Sequence, residues 1–174
     1  MKTIKFICAC VLISTALFVS SCSDDDGGSG GNAAAGTITA KVDGTTVTSS
    51  SQLTQANRVT AGSIVALTMQ GTNFDGKGYN FTINNFTGVG TYEIGGSSSV
   101  FVVATYVEGN ATNPLATATW TAPYDDTTVR GEISFSEVTE NNVKGTFSFT
   151  AKYPADDSIK TITEGSFNVG VTDF

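Results

Sequence analysis

The chain has 174 residues, with nine Lys and Arg against sixteen Asp and Glu, a formal charge of −7, and no histidine. That acidic balance argues against a nucleic-acid binder, which needs a basic footprint for phosphates. The three cysteines all fall within the first 22 residues, so the rest of the chain offers no disulfide, no Cys or His zinc site and no histidine-activated nucleophile.

In chain order, Lys2 and Lys5 precede an apolar run from Phe6 to Val19, and Val19-Ser20-Ser21-Cys22 follows. The run has 14 residues, short of the roughly 20 that a membrane helix needs, and the whole has the parts of an export signal. A small residue before Cys22 and an aliphatic one three before it suit a bacterial lipoprotein maturation site. Residues 1–21 are therefore expected to be a signal peptide and Cys22 the acyl acceptor. Each buried methylene of an acyl chain such as palmitate contributes about 0.8 kcal/mol, and two or more chains hold stably. The expected partner is the lipid bilayer, through acylated Cys22. Loss of Lys2 and Lys5 with the signal leaves seven basic against sixteen acidic residues, a balance of −9, which disfavours contact of the folded part with anionic membrane.

Residues 22–36 carry the lipidated Cys and a tether that is acidic, then rich in Gly, Ser and Ala, with no apolar face to bury. The opening Cys22-Ser23-Asp24-Asp25-Asp26 resembles the export signal that delivers Bacteroidetes lipoproteins to the outer face of the outer membrane. That resemblance implies an outer-membrane protein facing the cell exterior.

Residues 37–174 read as one all-β domain. Thr37–Val42, the turn Asp43-Gly44 and Thr45–Thr48 form a hairpin pattern. Ser63–Gln70 puts Val65, Leu67 and Met69 on one face. Asp75-Gly76-Lys77-Gly78 is a second hairpin tip, and Tyr79, Phe81 and Ile83 alternate with polar residues after it. Gly90–Ile94 is a short strand, and Val100–Val107, apolar on both faces, reads as a central or doubly covered one. Ala116–Thr121 alternates around Trp120. The last third is a meander over Val129–Val138, Val143–Tyr153 and Ile159–Val171, with Ile133, Phe135, Phe147, Phe149, Phe167 and Val169 inward. No stretch sustains a helical face. About nine or ten short strands predict an antiparallel β-sandwich or flattened β-barrel, with a lipocalin-like closed barrel as the alternative. The recurring inward aromatics favour a filled core.

Gly145-Thr146-Phe147-Ser148-Phe149, Ile162-Thr163-Glu164-Gly165-Ser166-Phe167, Ile38–Gly44 and Gly90-Thr91-Tyr92 together resemble a family of small Bacteroidetes all-β lipoproteins of unassigned function. These are strand and turn residues, so the resemblance implies a fold more than a chemistry. At Asp43-Gly44-Thr45-Thr46 the chain departs from the family's habit of placing an aromatic soon after the Asp-Gly turn.

Candidate site residues are sparse. Asp125-Asp126 and Asp156-Asp157 are acidic pairs in predicted loops and the only calcium candidates; one pair supplies too few oxygen ligands, so no metal and no cofactor is assigned. Glycosidase chemistry needs two carboxyls roughly 5 to 9 Å apart across a cleft, whereas alternation points Glu132 and Glu164 away from the core, with Glu137 near a strand end. Asp126-Thr127-Thr128 and Asp157-Ser158-Ile159 resemble acceptor sites for O-glycans in exported Bacteroidetes proteins, at Thr127 and Ser158. Among Tyr92, Tyr106, Trp120 and Tyr124, the aromatics that can stack on a sugar, Trp120 is expected inside and Tyr124, beside Pro123 and the aspartates, on the rim.

These readings converge on a non-enzymatic surface lipoprotein that binds a glycan or another envelope protein. A carrier of a small apolar ligand and a carboxylate-dependent glycan-active enzyme are the alternatives.

Overall fold

The computed structural model describes residues 32–110, 113, 116–125 and 127–174. The signal peptide, Cys22, Ser23, Asp24, Asp25, Asp26 and Asp126 lie outside the described residues. Among those described, the strands are β1 (Thr37–Val42), β2 (Thr45–Thr48), β3 (Thr54–Ala61), β4 (Ile64–Thr72), β5 (Lys77–Asn84), β6 (Gly90–Gly95), β7 (Phe101–Glu108), β8 (Ala118–Ala122), β9 (Val129–Val138), β10 (Asn142–Lys152) and β11 (Ile159–Asp173), with a single 3-10 turn at Ser51–Leu53.

The all-β expectation holds, with one strand beyond the expected count. The addition is β3, whose sequence Thr-Gln-Ala-Asn-Arg-Val-Thr-Ala buries only Ala56 and so shows no apolar alternation. Pairing along its whole length with β4 holds it in place. The strands form one mixed sheet in the order β2-β1-β11-β3-β4-β5-β7-β8-β10-β9-β6, with β10 also paired to β11. This sheet folds into two facing layers, β2-β1-β11-β10-β9-β6 and β3-β4-β5-β7-β8. They meet at two corners. Beyond β1, the end of β11 pairs with β3 from Val171↔Ala56 to Asp173↔Arg58, and Lys152 at the end of β10 pairs with Thr121 of β8. The β11–β3 pairing is parallel, which corrects the purely antiparallel expectation. Two strands distant in sequence can share a direction at a corner, where no hairpin dictates otherwise.

Turn chemistry explains the hairpins. Asp43 (φ 48°) and Gly44 (φ 83°) take the two left-handed positions of a type I′ turn, whose twist matches the flanking strands. In the β4–β5 loop, the Asn73 side-chain oxygen accepts from the Asp75 and Lys77 amides at 3.0 and 2.9 Å.

The interior between the layers is filled. Phe81 of β5 meets Phe147 at 4.8 Å and Phe149 at 5.9 Å between ring centroids, both edge-on. Phe135 meets Phe167 at 5.0 Å. Tyr79 is buried, its hydroxyl donating to the Ala40 and Val47 carbonyls at 3.3 and 3.0 Å, and burial pushes its pKa far up. The tyrosine thereby ties β5 to β1 and β2 across the core. β7 is central, as its composition suggested, but covered on one face only: Val102, Ala104 and Tyr106 are buried while Phe101 is exposed.

The resemblance motifs now have a physical reason. Gly145 lies opposite Phe167 and Phe147 opposite Gly165 across the β10–β11 ladder. A Cβ on Gly145 would stand 2.5 Å from the Phe167 ring tip and 1.8 Å from the Ser134 carbonyl oxygen. Each glycine is the seat on which the neighbouring strand's phenylalanine lies.

Candidate functional site

Beyond β8 the chain passes through Pro123, Tyr124 and Asp125 to β9, and between β10 and β11 it turns at Pro154–Ser158. The Lys152↔Thr121 corner brings these two segments together. Between them lies an open cleft of about 350 Å³ lined by Thr121, Pro123, Tyr124, Lys152, Pro154 and Asp157. Residues from both acidic loops, distant in sequence, therefore share one rim with the aromatic expected there.

Local bonds set the shape of each wall. The Asp125 carboxylate accepts from the Thr127 and Thr128 amides at 3.3 and 2.9 Å and pairs with the Arg130 guanidinium. The Arg130 partner first, and the Thr128 amide next, hold the Asp125 carboxyl down to about 2. Arg130 also lies 4.0 Å over the Tyr124 ring, a cation–π contact that fixes the ring's orientation. On the opposite wall Lys152 pairs with Asp157 at 2.6 Å, and Asp157 takes a left-handed conformation (φ 62°). Asp156 accepts from the Ser158 amide at 2.9 Å, and its carboxyl is held below the ordinary range by the Ser158 hydroxyl and then by that amide.

Asp125, Asp156 and Asp157 are each engaged by a neighbour in their own loop or strand, and among the described residues no group of three or more His, Cys, Asp or Glu is placed to hold a metal ion. Glu164 sits at a bulge (φ 52°) and pairs with Lys41 at 2.7 Å. Glu132 stands opposite Glu93 across β6–β9, both exposed on the outer sheet face, and Glu137 pairs with Lys144 at 3.2 Å. Glu93, Glu132 and Glu164 occupy exposed strand surface, Glu137 is partly exposed, and none of them lines the cleft.

Of the aromatics, Trp120 is inside as expected, while Tyr92 and Tyr106 are buried and no longer serve as stacking surfaces. The Tyr92 hydroxyl donates to the Gly88 carbonyl at 2.7 Å, and that of Tyr106 to Glu108 at 2.9 Å. Ser158, read as an open loop residue, is half-buried, because its Oγ accepts from the Trp120 indole at 3.0 Å. Thr127 is exposed. Lys152, Thr121 and Arg130 were missed by sequence reasoning; strand alternation does point Lys152 outward, but its meeting with β8 depends on a long-range corner.

The cleft's two charges, Lys152 and Asp157, form one closed pair beside an aromatic ring and two prolines. A Lys–Asp pair offers donors and acceptors together, and the ring offers an apolar face, a combination suited to a neutral, polyhydroxylated ligand. No curated protein matches the chain, and no solved structure matches it. Residues 34–170 match the model of a Domain of unknown function (DUF6252), and the chain belongs to that family.

Proposed function

We propose that this protein is an outer-membrane lipoprotein, held in the bilayer by acylated Cys22 and facing the cell exterior through its Ser23–Asp26 signal, whose β-domain is a non-enzymatic binding module. The observation that carries the binding role is the convergence of Tyr124, Lys152 and Asp157 on one cleft. A glycan of the cell envelope fits that cleft: a pyranose face lies on Tyr124 while its hydroxyls bridge Lys152 and Asp157. An envelope protein presenting such a glycan is the same ligand in another setting. Of the two O-glycan acceptor motifs, the reading keeps Thr127, since the Ser158 hydroxyl already serves Trp120.

The carrier alternative finds no support in the interior, where Phe81, Phe135, Phe147 and Trp120 are 0, 2, 3 and 7% exposed. The glycan-active enzyme finds none in Glu132 and Glu164, which lie on the outer strand surface away from the cleft. The test is a glycan array probed with the protein and with Tyr124→Ala. Retention that falls at least tenfold in the variant supports the reading; retention indifferent to Tyr124, or none on any glycan, overturns it.

A further inference from the structure

The outward face of the β3-β4-β5-β7-β8 layer carries no charged residue among the described residues; its outward positions are Thr, Asn, Gln, Gly, Ala, Val, Ile and Phe. The opposite outer face is unlike it, with the Lys41–Glu164 and Lys144–Glu137 pairs together with Glu93 and Glu132. An uncharged face this broad is unusual for a chain with sixteen acidic residues, since such residues ordinarily populate any surface left to water.

Near one end of this face a row of outward residues, apolar except for Asn84, runs across β3, β4, β5 and β7. Val59 pairs with Ala66, Ala66 with Asn84, and Asn84 with Phe101. Phe174 completes it: its amide donates to the Arg58 carbonyl at 2.9 Å and its carbonyl accepts from the Thr60 amide at 3.4 Å, which sets it beside Val59. Phe174, Val59 and Phe101 are 75, 46 and 57% exposed, and Ile64, flanking the row, is 55% exposed. An exposed apolar patch of this kind marks an interaction surface.

We propose that the surface is the interface of a homodimer, in which two copies pack this layer face to face about a two-fold axis near Ala66. The row Phe174-Val59-Ala66-Asn84-Phe101 has an aromatic at each end and a small residue at its centre, so the rotation lays Phe174 of one copy against Phe101 of the other, sets Val59 beside Asn84, and lets the sheets approach at Ala66. Self-complementarity of this sort is what an isologous interface requires. Charge points the same way: two copies of an acidic protein repel through most of their surfaces, and this face joins them with no like-charge contact. Four strands about 4.8 Å apart and about seven residues at about 3.3 Å rise give a footprint of roughly 450 Å² per copy. A standard stable interface buries about 800 Å² per partner, so this dimer is reversible and concentration-dependent. A lipid surface would take only the apolar members of the row and leave Asn84 and the uncharged Thr and Asn rows beside it unused.

The test is sedimentation equilibrium of the full-length protein in density-matched detergent. A monomer–dimer equilibrium is expected, with a dissociation constant raised at least tenfold by Val59→Glu or Phe101→Glu and unchanged by Thr46→Glu on the other layer. A short bis-maleimide should join Ala66→Cys copies but not Ser148→Cys copies, against the parent protein as background; this readout stands even where a glutamate variant fails to fold. A monomer at every concentration, a dimer indifferent to both glutamates, or vesicle binding by this face without self-association would overturn the proposal.

Discussion

The Trp120 indole donates to the Ser158 hydroxyl at 3.0 Å, joining β8 to the first residue before β11 and closing one end of the core beneath the cleft. The Tyr153 ring covers the other side of Trp120 at 5.3 Å. Ser158→Ala leaves a largely buried N–H without its partner, a loss of about 1–3 kcal/mol. Urea denaturation followed by Trp120 fluorescence should show the unfolding free energy falling by that amount and the midpoint falling with it, whereas Thr127→Ala, on an exposed residue, should leave both in place.

Asp125 sets the acid limit of the cleft. Its carboxyl is held down to about 2 by Arg130 and the Thr128 amide, below the ordinary value near 3.9. A depressed folded-state pKa contributes stability above the unfolded value and loses it as pH falls through the folded one. The bonds from Asp125 to the Thr127 and Thr128 amides and to Arg130 should therefore hold down to about pH 4 and loosen between there and about pH 2. Carbon-detected NMR of the Asp125 carboxyl measures this directly, and Arg130→Ala should return the titration toward the ordinary range.

Phe147 touches Tyr79, Phe81, Phe149 and Phe167, spanning both layers at the centre of the core. Phe147→Ala should lower unfolding free energy by about 3–5 kcal/mol. Gly145→Ala should prevent folding, since its Cβ would meet the Ser134 carbonyl oxygen at 1.8 Å, a backbone atom held in the β9–β10 ladder. Chemical denaturation and expression yield check these two expectations.

Cys22 is expected to carry the anchor. Metabolic labelling with palmitate should mark the protein and be abolished by Cys22→Ala. Replacing Asp24, Asp25 and Asp26 by alanine should keep the label but leave the domain protected from protease on intact cells.

Much of the fold was legible because period-two alternation is written wherever a strand buries large residues, as at Phe147 and Phe149 or Tyr79, Phe81 and Ile83. It failed at Thr54–Ala61, whose place comes from its neighbours and whose only buried residue is Ala56. It also overread Val100–Val107: an apolar outer row at Phe101 and Val103 looks like double burial in sequence, yet in the fold it faces outward. Tyr124 was legible as a rim aromatic because proline and aspartate flank it. Its companions were not, since Lys152 and Asp157 reach the cleft only through the β8–β10 corner, which rests on a single residue pair. Ser158 shows the same limit from the other side: its loop was legible, but its bond to Trp120, 38 residues away, was not.

The most direct measurement is an amide NMR titration of the protein with soluble envelope polysaccharide. Shifts should concentrate at Thr121, Tyr124, Lys152 and Asp157, with the row from Val59 to Phe101 unmoved. Shifts centred elsewhere on the domain, or none at saturating polysaccharide, would contradict the assignment of the cleft as the binding site.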